Sequence, residues 1–138
     1  SFLELGNIYF SSRLIDRSIE MYTEAIKCND EAIPRMKRAE TYYRKGNIIK
    51  AIADLEKASQ LSPQNAEIKN NIAVLYYKQK NYRKAEHCLI QAVAIDSDYI
   101  AAYKNLADTY EKMGQYRKAE LVRLKIAEIN NSKTQKKI

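Results

Sequence analysis

A period of 34 residues constrains this chain more than any other feature. Residues 66–99 read AEIKNNIAVLYYKQKNYRKAEHCLIQAVAIDSDY. They are answered 34 residues later by IAAYKNLADTYEKMGQYRKAELVRLKIAEINNSK and 34 residues earlier by AIPRMKRAETYYRKGNIIKAIADLEKASQLSPQN. A further copy, offset by 33 and lacking its start, occupies residues 1–31. Self-similarity at a period of this size means one small structural unit stacked on its neighbours, because a single copy cannot bury its apolar face alone. The expected divisions are 1–31, 32–65, 66–99 and 100–133, with 134–138 as a polar tail.

The copies agree column by column. One column holds Gly6, Ala39, Ala73 and Ala107, and three residues on stand Tyr9, Tyr42, Tyr76 and Tyr110. A later column holds Ser18, Ala51, Ala85 and Ala119, followed seven residues on by Ala25, Ala58, Ala92 and Ile126. Small residues at these spacings let two helices approach closely, and the aromatic beside them fills the flank of the contact. Each copy therefore reads as a helical hairpin.

The 34-residue period, the small-residue and tyrosine columns and the turn at Pro63 resemble the tetratricopeptide repeat family. The resemblance covers essentially the whole chain. It implies an all-α fold, an α-solenoid of four stacked helix-turn-helix repeats wound as a right-handed superhelix, with the first helix of each repeat lining a concave groove. The chain departs from the pattern at Arg38, where Leu5, Ile72 and Leu106 supply an apolar core residue, and at Arg123 and Ile126 in the last copy.

Turn signals divide the copies further. The first helix is expected to end near Ser12, with Asp16 capping a second that runs to about Lys27. Pro34 falls in a first helical turn, where a missing N–H costs nothing. Gly46 with Asn47, Lys80 with Asn81, and Gly114 with Gln115 separate the two helices of the later copies. The last helix is expected over Tyr116 to Ile129, leaving NNSKTQKKI polar and frayed.

Composition limits the function classes. No apolar run approaches the ~20 residues of a membrane span. The opening SFLELGNIYF lacks an initiator Met and starts within a helix, so the chain reads as a piece of a longer one. Cys28 and Cys88 occupy different columns, form no disulfide or metal-ligand pattern, and favour a reducing, cytoplasmic compartment. Cys28 shares its column with Leu61, Ile95 and Ile129 and is expected to be a buried small apolar residue. The net charge of +7 is uneven: residues 1–31 hold three basic and six acidic residues, residues 100–133 seven and four.

Nothing supports catalysis. His87 has no second ligand or base at a useful spacing, and no phosphate loop, nucleophile elbow or carboxylate pair is present, so no enzyme activity, cofactor or metal is expected. Binding is better supported. Asn71 and Asn105 share a column that the resemblance places in the groove, and Asn costs a helix roughly 0.5 kcal/mol relative to Ala. Such carboxamides can pair with a peptide backbone, or can simply be solvated. Phe10, Tyr43 and Tyr77 form a neighbouring column that Glu111 interrupts, either packing between helices or presenting a peptide surface. Lys37, Arg44, Lys78 and Asp108 complete the expected groove. One subgroup of the family clamps acidic C-termini with Lys, Asn, Asn, Lys and Arg; read from the first copy Leu3, Asn7, Lys37, Glu67 and Asn71 stand there and only Asn7 matches, and read from the second copy only Asn71 matches.

A basic ridge of Arg17, Lys50, Lys84 and Lys118, with Arg83 and Arg117, opens each second helix. Four such cations oppose the helix dipole by ~0.3–1 kcal/mol each. The ridge is a solvated face or a contact for acidic protein or nucleic acid. The sequence thus points to a protein-interaction scaffold holding a partner's peptide segment. An RNA-binding helical repeat and a self-assembly module working through an uncapped C-terminal end are the alternatives.

Overall fold

The computed structural model describes residues 1–136. They form eight helices: α1 (Phe2–Ser11), α2 (Ile15–Cys28), α3 (Ala32–Lys45), α4 (Ile48–Leu61), α5 (Ala66–Lys78), α6 (Tyr82–Ile95), α7 (Ile100–Lys112) and α8 (Tyr116–Lys136). Two compact units result, Ser1–Gln64 and Asn65–Ile138. In unit 1 the hairpins α1/α2 and α3/α4 meet through α2 and α3; in unit 2 the hairpins α5/α6 and α7/α8 meet through α6 and α7. Among the described residues no helix is long and apolar enough to cross a membrane.

The small columns sit where the helices cross. Ala39, Ala73, Ala107, Ala51, Ala85, Ala119 and Ser18 are all buried. Unit 2 closes around Ala73, Ala85, Leu89, Ala92, Ala102, Leu106, Tyr110 and Ala119. In unit 1, Gly6 replaces Ala because Tyr22 presses on it: a Cβ there would stand 2.5 Å from Tyr22 Cε1. Ser18 uses the same close approach to donate from Oγ to the Gly6 carbonyl at 2.9 Å.

All four hairpin turns share one geometry. The N–H groups of Leu14, Asn47, Asn81 and Gln115 donate to the carbonyls of Tyr9, Tyr42, Tyr76 and Tyr110 at 2.8–2.9 Å. The residue before each donor is left-handed: Arg13 at φ 62°, Gly46 at 90°, Lys80 at 61° and Gly114 at 74°. Glycine adopts this conformation without penalty, whereas a Cβ makes it costly. Lys80→Gly is therefore expected to raise the unfolding free energy by about 0.5–1 kcal/mol, read from the urea midpoint.

Four expectations need correction. Arg38, the departure from the apolar column, is not one of them: it lies half-buried and donates from Nε and Nη2 to Asp54 at 2.7 Å, and from Nη1 to Thr23 Oγ1 at 3.1 Å. Asp54, only 3% exposed, also accepts from Arg35 Nη1 at 2.9 Å. Arg35 in turn forks onto Asp30, holding that carboxyl below the usual range. Leu5, expected in the core, is 42% exposed on α1.

Asp16 does not cap α2. Leu14 stands at the cap with no side-chain bond, and Asp16 pairs instead with Lys45 at 2.6 Å. Cys28 is exposed at the last residue of α2. Finally, α8 does not stop at Ile129 but continues to Lys136. The segment lacks Gly and Pro, Thr134 Oγ1 donates back to the Asn130 carbonyl at 3.0 Å, and Lys133 and Lys136 suit the negative end of the dipole. Residues 137 and 138 of the expected tail lie outside the described residues.

Candidate functional site

The groove residues of unit 2 converge. On α5, Ala73, Val74, Tyr77 and Lys78 share one face; on α7, Asn105, Asp108 and Thr109 share another, as helical spacing requires. With Leu89 of α6 beneath them they line a cavity of about 90 Å³. Tyr77 is steadied by an edge contact to Tyr82, ring centroids 5.4 Å apart. Thr109 Oγ1 donates to the Asn105 carbonyl at 2.7 Å. Asn105 Nδ2 donates to Asn70 Oδ1 at 2.9 Å, which fixes the carboxamide and leaves its Oδ1 accepting no hydrogen bond among the described residues.

Asn71, which shares the Asn105 column, is not among the residues lining this cavity, and the side-chain partner of Asn105 is Asn70. Asn70 is buried, yet its column reads Leu3, Met36, Asn70 and Lys104, and no periodic signal distinguishes it.

Unit 1 uses the corresponding residues differently. Arg44 stacks its guanidinium 4.9 Å from the Phe10 ring centroid, so two expected groove residues occupy each other. Lys37 and Tyr43 are exposed. Asn7 accepts the Tyr22 hydroxyl hydrogen at 2.6 Å, which engages the residue that matches the acidic-terminus clamp when it is read from the first copy.

The basic ridge has a role inside each hairpin. Arg17, Lys50, Lys84 and Lys118 sit over the rings of Tyr9, Tyr42, Tyr76 and Tyr110, at 6.0, 5.5, 5.3 and 5.6 Å from their centroids. An exposed cation over an aromatic face contributes ~0.5–1 kcal/mol, enough to offset the dipole penalty at these helix starts. Arg83 and Arg117, exposed beside them, make no such ring contact among the described residues.

Electrostatics at the cavity rim are balanced. Arg123 of α8 lies half-exposed, 2.7 Å from Glu111 and 4.0 Å from Asp108, so its place in an otherwise apolar column serves an ion pair to α7. Nearby, burial and then the charge and hydrogen bond of Glu86 push the Tyr110 phenol up to about 12. A group whose folded pKa exceeds its unfolded value, near 10 for tyrosine, stabilises the fold below the unfolded value and loses that contribution as pH rises. The urea midpoint is expected to hold to about pH 9 and fall between about 10 and 12, and Tyr110→Phe should flatten that fall.

Comparison with known proteins places these features. A model described as "Tetratricopeptide repeat" matches residues 64–122, and one described as "TPR repeat" matches residues 39–80. A search of curated proteins returned no match. The crystal structure of MamA is 21% identical, with a TM-score of 0.89 over 97% of this chain and 79% of its own. The first TPR of Spaghetti (RPAP3), bound to the HSP90 peptide SRMEEVD, is 18% identical, with a TM-score of 0.76 over 82% of this chain and 90% of its own. At these identities the structural likeness speaks for the fold, an all-α helical-repeat solenoid. Two overlapping repeat models that together run from residue 39 to residue 122, over an eight-helix architecture with the matching columns buried, place this chain in the tetratricopeptide repeat family.

Proposed function

We propose that the chain is a non-catalytic protein-interaction scaffold, and that the α5/α7 face of unit 2 holds an extended peptide segment of a partner. The observation that carries this reading is the cavity itself, which gathers Tyr77, Lys78, Asn105 and Asp108, four residues expected in the groove from the sequence, around a fixed carboxamide. A structural neighbour bound to a short peptide adds support. The α1/α3 residues Phe10, Lys37, Tyr43 and Arg44, together with Asn71 of α5, are proposed as further contacts, each within its own unit.

Peptides selected by display on the full chain test the proposal. Asn105→Ala and Tyr77→Ala are each expected to weaken a selected peptide roughly tenfold, the loss of one good polar or aromatic contact, without moving the melting midpoint by more than a few degrees. Unchanged affinity in both variants would remove this face from the reading. A nucleic-acid ligand would announce itself instead by log affinity falling with log salt at about −0.7 per contacted phosphate.

A further inference from the structure

The cavity of unit 2 is open because one column is smaller there. Leu89 stands at the repeat position that Tyr22 holds in unit 1. In unit 1 the Tyr22 ring lies against Gly6 and its hydroxyl donates to Asn7 Oδ1 at 2.6 Å. The equivalent residues of unit 2, Ala73 and Val74, are cavity wall. The chain's own phenol fills in one unit the volume that the other unit leaves open.

We infer that the cavity is an anchor site for one aliphatic side chain, of valine to leucine size, carried by an extended peptide, and that it excludes aromatic anchors. The inference rests on the reading of the α5/α7 face as a peptide surface. Size carries the first part: a cavity of about 150 Å³ admits benzene, and this one measures about 90 Å³. Chemistry carries the second. Ala73, Val74, Leu89 and the Tyr77 ring give the apolar part of the lining, against which an aliphatic side chain buries hydrocarbon, and Lys78, Asn105, Asp108 and Thr109 complete it. Asn105 Oδ1 supplies a fixed acceptor, suited to the backbone N–H of the anchor residue. Lys78 and Asp108 bring opposite charges to the cavity, so the flanking residues need be neither acidic nor basic overall.

The test uses acetylated, amidated nine-residue peptide pools with random flanks and Ala, Val, Leu, Phe or Trp fixed at the centre, passed over the immobilised full chain. The Val and Leu pools are expected to be retained about tenfold better than Phe and Trp, in line with the discrimination a close-fitting apolar pocket achieves. The triple change Ala73→Gly, Val74→Asn, Leu89→Tyr transplants the unit 1 arrangement and closes the cavity with geometry the chain already tolerates. It should abolish the aliphatic preference. Val74→Phe, at a half-exposed position, blocks the cavity from its wall and should do the same if the triple variant fails to fold. Equal retention of aliphatic and aromatic pools, or an aliphatic preference that survives in the folded blocked variants, would overturn the anchor while peptide binding stands. Retention of no pool by the native chain would overturn the peptide surface and the anchor together.

Discussion

Asp54→Ala is expected to cost unit 1 about 3–5 kcal/mol, the largest loss foreseen for any single change, read as a lowered urea midpoint by circular dichroism. The carboxylate is buried and accepts three guanidinium hydrogen bonds, two from Arg38 and one from Arg35. Its removal leaves Arg38 charged, half-buried and without its fork. The pair itself is another matter. Arg38 and Asp54 stand at positions occupied by Leu106 and Val122 in the last repeat, where both side chains join the apolar core. The double variant Arg38→Leu, Asp54→Val copies that arrangement. Its stability is expected to equal the native value or exceed it by about 1–4 kcal/mol, because two desolvated ions give way to packed hydrocarbon. Arg35 keeps Asp30 in that background, and Thr23 keeps its bond to the Ile19 carbonyl. A double variant as unstable as Asp54→Ala would show that the ion pair does more than replace an apolar contact.

The second large effect is a reversal of sign. Gly6→Ala should destabilise by about 1–3 kcal/mol, although Ala is the better helix former by about 1 kcal/mol. The new Cβ would meet Tyr22 Cε1 at 2.5 Å and Cδ1 at 2.6 Å, and a ring 1% exposed has nowhere to retreat. In a Tyr22→Leu background the obstacle is gone, and the same Gly6→Ala change should stabilise by up to about 1 kcal/mol. That background reproduces the Ala39 with Leu55 and Ala73 with Leu89 pairs of the neighbouring copies. A double-mutant cycle on melting midpoints measures the coupling, and additive values would mean the two residues do not compete for space.

Both pairs explain why the sequence was legible to one depth and not the next. The period and the small columns predict the hairpins, and the expected helix limits other than the end of α8 fall within a residue or two of those observed because glycine, asparagine and proline mark them locally. Asp16, Cys28 and the end of α8 were misplaced, since capping, burial at a helix end and the persistence of a polar last turn depend on neighbours rather than on the residue type. Within the candidate site, Tyr77, Lys78, Asn105 and Asp108 were found from column logic. Asn70 and Leu89 were not: one is an orienting partner with no column of its own kind, the other looks like ordinary core.

The sequence by itself determined the all-α repeat, the hairpin register and the buried small-residue seams, because a 34-residue period and 3.6-residue helices leave one way to bury those columns. Only the tertiary structure decided where an ion pair stands in for hydrocarbon, which cations rest on tyrosine rings, and which copy of a shared position is open. Those outcomes are set by pairs of side chains from different helices. Each departs from the repeat pattern alone and makes physical sense only against the other.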